Sequence, residues 1–309
     1  MDSYTNETKK WLDERFRQTT NDGIYYAHQP IYGFGDKHCE PFVINRYSIT
    51  YHIMKELSKI SFHSLLDVGG AEGYKAALAR HLFNCEVQSC DLSSEAVKRA
   101  KDIFNVDGKT IDIHNLPFDD NSFDVVLCSE TLEHVKDLEK ATMELIRVCK
   151  KLVVITVPYE SQEIVEQNIR ENIPHAHIHA LDKNSFDFTK SIIKKITFKR
   201  ILHPILNLPS AVVEATKKES SNSSYSSLSV SIYNKLLPLF KLFSNKYTAS
   251  LLIKIDEYLS KKNVSFSGIM FVLYKQENTN KLFINTKRIT PKHILNFTVP
   301  HYYTKNTTK

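Results

Sequence analysis

Glycine and proline are scarce in this sequence, 8 and 10 in 309 residues, which excludes a collagen-like repeat and a broadly disordered composition. Five cysteines are present, Cys39, Cys85, Cys90, Cys128 and Cys149, an odd number with no CxxC pair. A disulfide framework and a zinc ribbon are therefore not expected. Two of the cysteines fall in apolar, strand-like runs, where cysteine behaves as a small buried hydrophobe. No run reaches the roughly 18 apolar residues of a membrane span, so no transmembrane segment is expected. The opening Met-Asp-Ser-Tyr-Thr-Asn-Glu carries neither a basic nor an apolar stretch, and the expectation is a cytoplasmic chain without a secretion signal. No internal repeat is visible.

What is present is an ordinary globular composition, 42% hydrophobic and 25% charged, in a chain long enough to bury a full core. The net charge of +6 is unevenly spread: residues 1–160 hold 19 basic against 25 acidic side chains, and residues 161–309 hold 22 against 10. A basic second half is most simply a solvated surface. It also suits an anionic or lipid-like partner.

Residues 1–60 read as a helical and aromatic cap, with helices over 7–16 and 42–57 around a loop over 23–30. From residue 64, short apolar runs alternate with helical spacing, the pattern of a parallel α/β sheet. Strands are expected over 64–68, 86–90, 109–113, 123–128 and 152–157, and helices over 74–83, 93–104 and 137–149, with Ser93 and Asp137 at helix starts. The core is expected to run over 61–206, with a sixth strand over 192–201. A linker and helical insertion follow over 207–263, including a serine-rich stretch over 219–229 and a Leu/Phe-striped helix over 239–259. The apolar run 268–274 is the last core strand, within 264–276, and 277–309 is a polar, basic tail.

The first strand ends in Asp67-Val68-Gly69-Gly70-Ala71-Glu72-Gly73 before a helix. Glycine there allows a sharp turn and a close backbone approach to a ligand, and a helix start presents free N–H groups. Asp91 closes the second strand 24 residues after Asp67, and Asp112 stands at the third strand's end 21 residues later. Acidic residues at successive strand ends face the crevice where open α/β sheets bind ligands, and they suit the hydroxyls and amino group of an adenosine. NAD binding fits less well, because Gly69-Gly70-Ala71-Glu72-Gly73 lacks the G-x-G-x-x-G register.

With Leu116-Pro117-Phe118-Asp119-Asp120-Asn121-Ser122-Phe123-Asp124-Val125-Val126 and then Leu132-Glu133-His134-Val135, the chain resembles the class I, Rossmann-like SAM-dependent methyltransferases, over residues 61–160. The nearest branch is that of quinone-biosynthesis and other small-molecule enzymes. The resemblance implies an α/β three-layer sandwich of about seven strands, mostly parallel, with an antiparallel last strand inserted between the fifth and sixth. It implies S-adenosylmethionine as cofactor, with Asp67, Gly69 and Gly70 against its methionine part and Gly73 opening the next helix. Asp91 and Leu92 would lie at the ribose, Asp112 and Ile113 at the adenine, and Ser129 at the strand end facing the cofactor. Ala71 stands where the family often has glycine.

The acceptor is expected to be a small molecule. Ser129-Glu130-Thr131-Leu132 is not the proline-aromatic tetrad of nucleic-acid amino methyltransferases, so nucleic acid is not the expected partner. A catalytically silent SAM-binding module is the alternative from another class. His134 and His179 are the candidate bases, and Tyr26, His28, His175 and His177 the candidate substrate pocket. If 174–179 is extended, its three imidazoles share a face. No cysteine or carboxylate stands at a matching ligand spacing, so no metal is assigned. Oligomeric state is not legible.

Overall fold

Runs of four to ten residues, several of them apolar and rich in Val, Leu and Ile, are too short for stable helices and favour strands. In the computed structural model they form β1 (Ser64–Val68), β2 (Glu86–Asp91), β3 (Asp107–Thr110), β4 (Phe123–Ser129), β5 (Cys149–Pro158), β6 (Lys195–Ile201) and β7 (Gly268–Tyr274). The structure describes residues 3–19, 24–34, 43–171, 173–207, 245–262, 264–276 and 288–299. The strands make one sheet in the order β3-β2-β1-β4-β5-β7-β6. β1 to β5 are parallel; β7 runs antiparallel between β5 and β6, pairing Leu152 with Tyr274 and Pro158 with Gly268. This is the topology expected.

Helices lie on both faces: α1 (Ser3–Arg17), α2 (Val43–Leu57), α3 (Tyr74–Phe83), α4 (Ser94–Phe104), α5 (Leu138–Val148), α6 (Gln162–Arg170), α7 (Asn245–Leu259) and α8 (Pro291–Leu295). Strand side chains alternate between two cores. Leu65, Val125, Leu127 and Val154 pack with α2, α3 and α7, and Leu66, Val126, Cys128 and Val153 pack with α5. Every residue of β4 is buried, as its central position requires. The Ser93 and Asp137 side chains cap α4 and α5, accepting from Ala96 N and Lys140 N.

Three expectations shift. β3 spans Asp107–Thr110 rather than 109–113, because Asp112 accepts from His114 N at 3.0 Å and turns the chain off the sheet edge. α6 occupies a region where no helix was expected; Ser161 caps it, accepting from Ile164 N. The expected 239–259 helix is described as Asn245–Leu259, and α7 packs against α2 and α8. The 219–229 stretch, Cys39, Phe42 and most of the tail lie outside the described residues. Among the described residues, no helix is long and apolar enough to cross a membrane, and Cys85, Cys90, Cys128 and Cys149 are free and buried.

Candidate functional site

The turn after β1 is held from below. Gly69 N and Gly70 N both donate to Cys90 O, at 2.8 and 3.0 Å, which ties the turn to β2. Gly69 and Gly73 have φ of 69° and 77°, in the left-handed region. Ala71 also sits there, at 44°, so the departure from glycine is accommodated with strain. A Cβ on Gly70 would collide with Ser89 Oγ, and one on Gly69 with the Thr131 side chain. The two glycines are therefore required by packing within the turn.

The start of α3 is not free, as the sequence suggested. Gln29 Oε1 accepts from Tyr74 N at 2.8 Å while its Nε2 donates to Gly70 O at 2.8 Å. Glu72, fully buried, accepts from His28 N at 2.9 Å and Gln29 N at 3.1 Å, and faces the Arg99 guanidinium at 3.6 Å. The aromatic loop is thus fastened across the turn. Glu72 and Gln29 carry no signal in the sequence alone, since neither belongs to a repeated pattern.

The acidic residues differ in situation. Asp67 is internal to β1, 1% exposed, and its Oδ2 has no hydrogen-bond partner among the described residues. Burial pushes its carboxyl up to about 6, against the pull of Lys75. Asp91 ends β2 and accepts Ser93 N at 2.9 Å and Ala71 N at 3.0 Å. Burial raises its pKa while these two N–H groups lower it. Asp112, beyond β3, pairs with His114 Nδ1 at 2.6 Å. At the end of β4, Ser129 Oγ shares a hydrogen bond with Thr156 Oγ1 at 2.7 Å, and Glu130 adopts φ 56°.

A cavity of about 660 Å³ runs along these strand ends. Gly69, Asp91, Leu92, Asp112, Ile113 and Ser129 line it, with His28, His134, His175 and His177. Asp67, Gly70 and Gly73 are not part of its lining. Tyr26 lies outside it, half-exposed beneath Arg15. The wall also includes Arg46, Lys75, and Tyr4 and Leu12 of α1, which the sequence did not single out, and Glu130 and Glu133, which it gave only within the Ser129-Glu130 strand end and the Leu132–Val135 motif. Glu133 lies within the quoted Leu132–Val135 motif and Glu130 two residues before it, and only the burial of Glu133 marks it out.

The histidines form one wall rather than one row. His175 has φ 55°, so 174–179 is not uniformly extended and its imidazoles do not share a face. The His175 ring stacks on His134 at 3.8 Å and on Trp11 of α1 at 4.8 Å, and His177 meets His134 edge-on at 4.8 Å. His179 points away, with Nε2 2.6 Å from Val135 O. Burial, with His175 and His177 close by, pushes His134 down to about 2. Burial takes His28 to about 3 and His175 to about 4. All three are neutral at neutral pH.

Residues 66–157 match the sequence model of the family described as "Methyltransferase domain". Norajmaline N-methyltransferase of Rauvolfia serpentina is 35% identical over 92 residues, 28% of this chain and 32% of that protein. The ubiquinone/menaquinone biosynthesis C-methyltransferase UbiE of Idiomarina loihiensis is 26% identical over 155 residues, 42% of this chain and 62% of that protein. The chain thus spans less than two thirds of either relative. Among solved structures, Haemonchus contortus phosphoethanolamine N-methyltransferase 2 in complex with S-adenosyl-L-methionine superposes with a TM-score of 0.53 at 19% identity, over 87% of this chain and 60% of that one, a likeness of fold. Residues 66–157 thus carry a methyltransferase domain, set in a seven-stranded sheet of the class I, Rossmann-like strand order.

Proposed function

We propose that the whole chain transfers a methyl group from SAM to a small-molecule acceptor, at O, N or C. The observation that carries this reading is the single cavity joining the glycine turn to the histidine wall, about 660 Å³, within the size range of ligand pockets. Its donor set fits the cofactor: carboxylates for hydroxyl and amino donors, apolar Ile111, Ile113 and Leu92 for an adenine, and an acidic surround for a sulfonium.

SAM supplies a methyl group on a positively charged sulfur, open to in-line displacement. Asp91 is assigned to the ribose, where its carboxylate retains acceptor capacity beyond the two backbone bonds. Asp112 and Ile113 are assigned to the adenine, with Leu92 beside it. Gly69 brings the backbone close, Gly70 and Gly73 shape the turn, and Asp67 and Ser129 hold the strand ends behind it. Proximity and orientation supply most of the acceleration in such a displacement.

Of the two candidate bases, His134 lines the cavity, and its neutral imidazole is assigned to the acceptor end. His179 is assigned a positioning part, holding the turn through Val135 O. His28, His175 and His177 form the polar side of the acceptor pocket, with Tyr26 at its outer margin. The described parts of the 1–60 cap, α1, α2 and the loop over 24–34, contribute to the cavity wall, and most of the 207–263 insertion lies outside the described residues. An anionic or lipid-like acceptor suits the basic second half. A cytoplasmic location accords with the free cysteines.

Calorimetric titration should show SAM binding that Asp91→Ala weakens by at least about tenfold, with a lowered Tm because two backbone N–H groups lose their acceptor. Unchanged affinity would overturn the assignment. Labelled SAM incubated with an extract of the source cell, read by mass spectrometry, should mark a small molecule. Label only in protein or RNA would remove the small-molecule reading, and no label anywhere would favour a silent SAM-binding module.

A further inference from the structure

We propose that Glu133, His134 and His177 form a site for a divalent transition-metal ion of the zinc class, at the acceptor end of the cavity. One ligand atom from each lies within 4.8 Å of the others. Proximity alone would be weak, but two further observations point to a cation. Glu133 is 1% exposed, yet its Oε2 has no hydrogen-bond partner among the described residues. A carboxylate so placed is costly unless a positive charge reaches it.

The second observation is the state of the rings. His134 Nδ1 lies 3.1 Å from Ala176 O, which can only accept, so Nδ1 carries the proton and Nε2 the lone pair. His177 Nδ1 lies 2.7 Å from Glu160 Oε2, so that nitrogen is engaged and Nε2 is the one left for a ligand. Metal-bound imidazoles are held in this way, the far nitrogen donating to a carbonyl or carboxylate that fixes ring and tautomer. His134 Nε2 stands 3.8 Å from Glu133 Oε1. An ion with bonds of about 2.0–2.1 Å would draw the Glu133 carboxylate toward both rings. Stacking between Trp11, His175 and His134 holds the His134 ring from behind.

Two imidazoles and one carboxylate suit zinc-class ions rather than magnesium or calcium, which take oxygen ligands. Three protein ligands leave a coordination position toward the cavity that these residues line. Resting on the methyltransferase reading above, that position would take a hydroxyl or carboxylate oxygen of the acceptor and favour its ionised form, which removes the need for a strong protein base.

The test uses the full chain, stripped with a chelator and titrated with Co2+ and Zn2+, by visible absorption and calorimetry. One ion per chain is expected, with the intense d–d bands of low-coordinate cobalt. Glu133→Gln and His177→Asn should each weaken binding by more than about tenfold, and Glu160→Gln by about 10–100-fold through the ring it orients. Tm and SAM affinity are measured on each variant, and a variant that unfolds is read through the others. Failure of the wild type to bind either ion stoichiometrically, or wild-type binding by both Glu133→Gln and His177→Asn, would overturn the proposal. SAM binding without metal uptake defeats this inference alone. Metal uptake without SAM binding supports it and defeats the cofactor reading.

Discussion

At Gly69 and Ala71 the chain is held at φ 69° and 44°, where a Cβ costs about 1–2 kcal/mol. The two positions differ in what that Cβ meets. On Gly69 it would collide with Thr131, whose displacement would disturb the segment between Ser129 and Leu132. On Ala71 it already packs with Phe16 and Ala96 in a small apolar cluster. Gly69→Ala should therefore cost about 2–4 kcal/mol and abolish measurable SAM binding, because strain and overpacking add. Ala71→Gly should change stability by less than about 1 kcal/mol, since relieved strain is offset by greater freedom of the unfolded chain. Urea unfolding and SAM titration of both variants check this, and equal effects would show that packing against Thr131 is not the constraint.

Gln29 joins two elements far apart in sequence, capping α3 from the loop that α1 leads into. Removing it in Gln29→Ala leaves the Tyr74 N–H without its acceptor, at a cost of about 1–2 kcal/mol. The loss should be local: hydrogen exchange at Tyr74 and Lys75 should quicken, SAM affinity should fall, and β4 amides should stay protected. Uniform quickening would mean that Gln29 supports the whole fold instead. The alternation of strands and helices was legible because apolar periodicity and the Ser93 and Asp137 caps are local signals. The places of Asp91 and Asp112 were legible from spacing, although Asp112 lies two residues past its strand. Gln29, Glu72 and the burial of Glu133 were not, because each depends on contacts between segments tens of residues apart. The imidazole face expected over 175–179 failed for a backbone reason, the left-handed turn at His175.

Across the whole molecule, one buried polar chain links α2, α7 and β6. Asp256 accepts from Ser48 Oγ at 2.7 Å, from His52 Nε2 at 2.9 Å and from His203 N at 2.7 Å, and Lys199 Nζ lies 2.8 Å from His52 Nδ1. Asp256 and His52 are both fully buried. Burial alone would raise Asp256, but its hydrogen bonds, His52 foremost, hold it below the usual carboxylate range. Burial drives His52 the other way from an ion-pair histidine, downward, against the pull of Asp256. The lysine contact agrees with this, since an ammonium donates to a neutral ring's lone pair. Asp256→Ala strands three donors and should cost about 3–5 kcal/mol at neutral pH, measured by denaturant unfolding. The pH dependence follows from the signs. The unfolded chain protonates His52 below about 6.5 while the fold resists it, so the contribution from His52 is lost as pH falls below that value. Asp256, with a depressed pKa, contributes above its unfolded value near 3.9 and loses its share further into acid. His28, His134 and His175 are depressed in the same direction as His52, and Asp67 and Asp91 are raised and oppose them, so the total slope mixes several groups. The difference between wild type and His52→Gln isolates the ring: it should grow smaller between pH 7.5 and 5.5 as the wild type loses its advantage. A difference that grows over that window would mean that His52 is charged in the fold and that the network is an ion pair rather than a neutral relay, and a constant difference would mean that the fold does not displace the ring's pKa at all.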